Sequence, residues 1–304
     1  MKMTFKLLFT AMFAATCSSV SAFDFGALEK QVKDVQKQIP QQTPQQAQQP
    51  PAQQLLKQLP VSPQAASVIK EVSGPTQEEE IAIGRQISGN LLGAAALVKD
   101  AELQRYVNNV GRWVANQSER PDLPWHFGVI QSNDVNAFAA PGGYIFVTLG
   151  LYRLLQSEAD LAGVLGHEVG HVIQKHHLKI LQQSKLLEAG SNALTSTVGN
   201  NSAVQKLIGS GAEIVSRSLD KGAEFEADRI GVVLATRAGY DAYGLPSVLQ
   251  QIGHSAKDDG NVALLFKTHP HPDARLEKLS VAMGDRFDKV QGQAVTQRLY
   301  RKIK

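Results

Sequence analysis

Gly166-His167-Glu168-Val169-Gly170-His171 decides how this chain is read, because it sets two imidazoles and a carboxylate inside an apolar stretch. Leu161, Ala162, Val164, Leu165, Val169 and Val172 surround it, and their spacing predicts a long, buried helix over Glu158–Leu178. Residues four apart share a helix face, so His167 and His171 can both present ring nitrogens to one metal ion. Glu168 lies about 100° further round the helix and can take a proton from an attacking water. A five-residue HExxH pattern on its own recurs by chance. The apolar flanks narrow the reading, because a buried helix does not carry two His and a Glu without partners.

A metal held by two histidines needs a third protein ligand, and two answers stand in the sequence. His177 falls ten residues after His167, the spacing of the pattern HExxHxxGxxH. Gln174 stands where that pattern has Gly, and an unbroken helix carries His177 away from the ion. The second answer is Glu224-Phe225-Glu226-Ala227-Asp228. Glu224 and Asp228 are four apart on an expected helix, Lys221–Ala238, so one can ligate while the other supports a ligating histidine. We expect Glu224 as ligand, Asp228 as support, and one Zn2+ per chain.

Outward from the motif, most of the chain has helical periodicity. Thr76 followed by Glu78, Glu79 and Glu80 reads as a capped helix start, which puts the beginning of the folded domain near residues 65–76. Ala101–Gln117 sets Leu103, Tyr106, Val107, Val110, Trp113 and Val114 on one face. Trp125–Gln131 and Tyr144–Thr148 are short β-like runs, with Ala140-Pro141-Gly142-Gly143 as a turn between them. Helical segments are expected to about Leu219, Pro246 fits the first turn of a further helix, and Asp273–Met283 is the last clear helix. Gly253–Lys267 reads as a mobile loop. The expected fold class is α+β, mainly helical, with one small sheet beside the motif helix.

Residues 1–22 have the basic start, apolar run and Val20-Ser21-Ala22 ending of a signal peptide. Residues 23–64 form an N-terminal segment whose Gln/Pro-rich tract cannot pack a core and reads as a flexible linker. Residues 65–304 remain as the folded domain. Cys17 is the only cysteine; cleavage after Ala22 leaves no thiolate to hold a metal, while acylation of Cys17 is the alternative, lipoprotein reading. The formal charge is +3, with Lys and Arg scattered, which argues against nucleic acid as a partner. Beyond residue 22 no apolar run approaches the roughly 18 residues of a membrane span.

GHEVGH at 166–171, SRSLDKGAEFEADRIG at 216–231 and THPHPDARL at 268–276 together resemble the gluzincin-type zinc metallopeptidases of the HtpX, BepA and CaaX prenyl endopeptidase group. The resemblance covers roughly residues 76–284. It implies a zincin-like metalloprotease domain, with His167, His171 and Glu224 as zinc ligands and Glu168 as general base. It further implies that Asn136 and His269 face the site, and that the strand near Gly143, Tyr144 and Ile145 pairs with a peptide substrate by edge addition. His269 has two expected roles: a donor to the developing oxyanion, or an occupant of the fourth metal position that keeps the enzyme latent. The whole reads as a short, soluble, exported endopeptidase of the periplasm, acting on unfolded or misassembled envelope proteins. The alternatives are a chaperone-like assembly factor with little proteolysis, and a metzincin-type protease that uses His177.

Overall fold

The computed structural model describes residues 74–182, 219–254 and 260–303. The expected signal peptide, Cys17, the Gln/Pro tract and the helical run expected before Leu219 lie outside the described residues. Thr76 caps α1 (Gln77–Ala94), and its hydroxyl and the Glu79 carboxylate each accept the other's backbone N–H. Asp100 caps α2 (Ala101–Ala115), which turns Leu103, Val107, Val110 and Val114 inward. Tyr106 packs at the edge of that core. Trp113 shares its spacing yet is 54% exposed, held by its indole N–H to the Ala238 carbonyl.

Three short strands follow: β1 (His126–Ile130), β2 (Ala137–Ala140) and β3 (Tyr144–Thr148). The sheet order is β1-β3-β2, with β1 parallel and β2 antiparallel to β3. The turn between β2 and β3 holds Gly142 and Gly143 at positive φ (73° and 98°), a conformation glycine adopts without strain. β3 is therefore the central strand. The expectation that Gly143, Tyr144 and Ile145 pair with substrate by edge addition is corrected: β1 and β2 already occupy both sides of Tyr144 and Ile145. Among the described residues no strand pairs with the far side of β2.

After α3 (Leu149–Leu154), a Ser157–Asp160 capping box starts the motif helix, α4 (Glu158–Ile173), which is buried from Glu158 to Val172. The helix is shorter than the expected Glu158–Leu178. Gln174 caps it, Lys175 takes the left-handed conformation (φ 56°), and helix resumes at residues 176–182. Among the described residues there follow α5 (Lys221–Arg237), α6 (Gly244–Gly253), α7 (Ala263–Thr268), α8 (Pro272–Met283) and a 3-10 turn at Thr296–Arg298. α7 corrects the loop expected over Gly253–Lys267: Val262 and Leu265 are buried in the main core.

Two glycines bring α4 and α5 together. A Cβ on Gly166 would lie 2.8 Å from the Gly231 carbonyl oxygen, and one on Gly231 would lie 2.7 Å from the His167 nitrogen. Backbone thus meets backbone at the motif, and any larger residue would push α5 and its acidic first turn outward.

Candidate metal centre and active site

That close crossing sets the site. α4 supplies His167, Glu168 and His171; the first turn of α5 supplies Glu224; His269 follows the end of α7. Ligand atoms of His167, His171, Glu224 and His269 all lie within 4.8 Å of one another. The Nε2 atoms of His167 and His171 face each other at 3.1 Å. Glu224 Oε1 is 3.5 Å from His171 Nε2, and Glu224 Oε2 is 3.7 Å from the Nε2 atoms of both His167 and His269.

The electrostatics suit a cation. Burial, then the nearby Arg275 guanidinium, lowers the pKa of His167. Burial and neighbouring imidazoles hold His171 well below the usual histidine range, and burial with Arg275 does the same to His269. These rings are therefore neutral, with lone pairs available. Burial pushes the carboxyls of Glu168 and Glu224 up to about 8. Both oxygens of Glu224 are buried without a hydrogen-bond partner, a costly state for a carboxylate unless something else satisfies it. Neutral imidazoles around an orphaned carboxylate fit a zinc ion, whose ligands are nitrogen and oxygen where thiolates are lacking.

The back of His167 is well supported. Its Nδ1 is 2.9 Å from Asp228 Oδ1, so the ring donates there and Nε2 carries no proton; Arg275 Nη2 lies 3.5 Å from that nitrogen. Arg275, buried on α8, donates through Nε to Asp228 Oδ2 at 3.0 Å. Arg275 and its neighbours hold the Asp228 carboxyl far below the usual range against its own burial. Nothing in the sequence reading assigned Arg275, because an arginine on an amphipathic helix reads as a solvated side chain.

Two small cavities flank Glu168. One, about 10 Å³, is lined by Ala137, Phe138, Ala139, His171, His177 and Glu224 among others; that is room for about one water. The other, about 40 Å³, is lined by aliphatic side chains that include Val164, Leu245 and Val248. Asn136 lines neither. It is buried just ahead of β2, where its Oδ1 accepts from the Ala137 N–H and its Nδ2 has no hydrogen-bond partner. His177 does approach the site, because α4 ends at Ile173 although no glycine stands there to end it. Its ring centroid is 5.9 Å from that of His171, but it is not in the four-residue ligand group.

Residues 101–282 match the sequence profile of peptidase family M48. The chain belongs to this family. Over 235 residues it is 30% identical to the Beta-barrel assembly-enhancing protease of Yersinia pestis, an alignment covering 74% of this chain and 46% of that protein. It is 29% identical over 217 residues to the Escherichia coli (strain K12) protein of the same name, covering 65% of this chain and 42% of the relative. The chain thus spans less than half the length of these two M48 relatives. Similarity extends to the Mitochondrial metalloendopeptidase OMA1 of Arabidopsis thaliana, 30% identical over 169 residues, 55% of this chain and 33% of that protein. Membership of M48 agrees with the gluzincin-type resemblance of the three motifs.

Proposed function

We propose that this M48 member is a zinc-dependent endopeptidase in which His167, His171 and Glu224 hold the metal. The observation that carries the reading is the buried, partnerless Glu224 carboxylate facing two neutral imidazoles. A zinc ion bound there supplies Lewis-acid chemistry, polarising the scissile carbonyl and acidifying water. Glu168 takes the proton from the attacking water and delivers it to the leaving amine. Asp228 fixes the tautomer of His167, and Arg275 keeps Asp228 ionised.

The substrate lies extended along β2. Thr148 N–H donates to the Asn136 carbonyl, so the antiparallel alternation turns the main-chain groups of Ala139 and the carbonyl of Ala137 to the opposite edge. A peptide added there takes a β-strand's hydrogen bonds beside Glu168. Main-chain recognition of this kind favours unfolded chains, and unfolded or misassembled envelope proteins are the substrates we propose for an exported enzyme. Among the described residues no helix is long and apolar enough to cross a membrane.

Cleavage of casein with and without a chelator tests the activity. Chelator-sensitive hydrolysis restored by zinc is expected; hydrolysis indifferent to chelation would sink the reading, and no cleavage by zinc-loaded protein would leave the chaperone-like alternative.

A further inference from the structure

The two ligating histidines differ in what stands behind them. Behind His167 is a carboxylate; behind His171 is another imidazole. His171 Nδ1 lies 2.9 Å from His176 Nδ1, and the two rings meet at 68° with centroids 5.1 Å apart. They meet nitrogen to nitrogen, their planes twisted apart, not as a stack. His176 Nε2 then lies 3.4 Å from Glu226 Oε2.

We infer that His176 is a positioning residue for His171, holding it in the metal-binding tautomer through a relay that ends on Glu226. The inference rests on the reading of His171 as a metal ligand. Two ring nitrogens can hydrogen-bond only if one of them carries the proton. His171 turns Nε2 toward His167 and Glu224, so a lone pair is needed there and the proton belongs on Nδ1. His176 Nδ1 is then the acceptor, its own proton sits on Nε2, and that N–H donates to the Glu226 carboxylate. Each tautomer in the chain follows from the one before it.

The backbone break after α4 makes the contact possible. On a continuous helix, residue 176 would lie about 140° round from residue 171 and face elsewhere. Lys175 instead adopts φ 56°, uncommon for a side chain of its size, and the chain folds back so that His176, 4% exposed, covers the rear of His171. The Lys175 ammonium lies 3.6 Å from the buried Glu80 carboxylate, which helps to hold the turn.

Three variants separate a hydrogen-bond acceptor from mere bulk. His176→Phe keeps a ring but removes the acceptor, whereas the Oδ1 of His176→Asn stands in place of Nδ1. Glu226→Gln alters only the exposed end. Zinc affinity is measured by competition with a chromophoric chelator, alongside thermal melting of the metal-free proteins to confirm folding. The expected result is a loss of about 10- to 100-fold for His176→Phe, recovery of most of it in His176→Asn, and a loss of only a few-fold for Glu226→Gln. In zinc-loaded wild type, long-range proton–nitrogen correlations should place the His171 proton on Nδ1. Wild-type affinity in His176→Phe, or equal weakness in the Phe and Asn variants, would overturn the inference while leaving the zinc site intact. A wild-type protein that binds no zinc would overturn both.

Discussion

The motif helix buries a carboxylate near each end, and the two are treated in opposite ways. At its N-terminus Glu158 is fully buried and accepts from the Tyr106 and Tyr240 hydroxyls, both at 2.9 Å, while Arg298 approaches at 2.8 Å. Arg298 belongs to a C-terminal segment strapped across this end: Gln293 bridges to Tyr240, and the Ala159 N–H donates to the Ala294 carbonyl. Toward the C-terminal end, Glu224 is as deeply buried, yet no donor reaches either oxygen. A satisfied buried network stabilises and specifies a fold; an unsatisfied one costs stability and persists where a ligand completes it. The same helix is thus anchored at one end and kept available at the other.

The sharpest way to test that contrast is to alter the available end. Glu168→Gln keeps the shape of the side chain but removes its basicity, so peptide hydrolysis should fall by about a thousandfold while zinc content is unchanged. Metal content and cleavage rate are to be measured on one preparation. Loss of zinc together with activity would assign Glu168 to the structure of the site instead.

Next in size is the choice between the two candidate third ligands. Glu224→Ala should weaken zinc binding by about a hundredfold or more, since losing a ligand costs more than losing a ligand's support. His177→Ala should leave affinity within a few-fold of wild type. The reason first offered against His177, an unbroken helix, does not hold, because the helix ends at Ile173. What separates the two residues is their placement: Glu224 faces both motif histidines, and His177 stands outside the ligand group. The opposite order of affinities would revive the metzincin arrangement.

At the anchored end the effect should be on stability alone. Glu158→Gln weakens hydrogen bonds to a charged acceptor and should cost about 2 kcal/mol, a fall of roughly 5 °C in Tm. The fall should be similar with and without zinc, with zinc affinity unchanged. A fall confined to the zinc-loaded protein would mean the two ends are coupled, and the contrast would fail.

What could be read in advance follows the same division. Regular, amphipathic or capped segments were legible: α2, α5 and β3 lie within a residue or two of their expected limits. β2 was not, because Ala137-Phe138-Ala139-Ala140 has little intrinsic preference for strand and takes its form from pairing with β3. The end of α4 was hidden for a related reason. Gln174-Lys175 carries no glycine, and the left-handed turn there is set by tertiary contacts, including the one to Glu80. His176, Glu226 and Arg275 went unassigned for want of any spacing signal, since each acts on a neighbour that only the fold brings close.

The smallest effect, and the one whose sign carries most information, concerns His269. As an oxyanion donor it would contribute about a hundredfold to the rate, and His269→Ala would slow hydrolysis. As a fourth ligand it would hold the site shut, and the same substitution would raise basal activity. The geometry favours the second role. His269 Nε2 is 3.7 Å from Glu224 Oε2, and its ring centroid is 5.9 Å from that of His167, which puts it inside the ligand group. The cavity between Glu168, His269 and β2 is about 10 Å³, too small for a peptide. His269 also follows directly on α7, a helix of six residues whose displacement would carry the imidazole away and open the β2 edge. If about a tenth of molecules are open at a given moment, removing the imidazole should raise the rate of peptide cleavage about tenfold. Steady-state rates on a peptide substrate, with zinc content confirmed in both proteins, give the sign. A hundredfold fall would make His269 the oxyanion donor, and an unchanged rate would leave it an ordinary residue at the end of a helix.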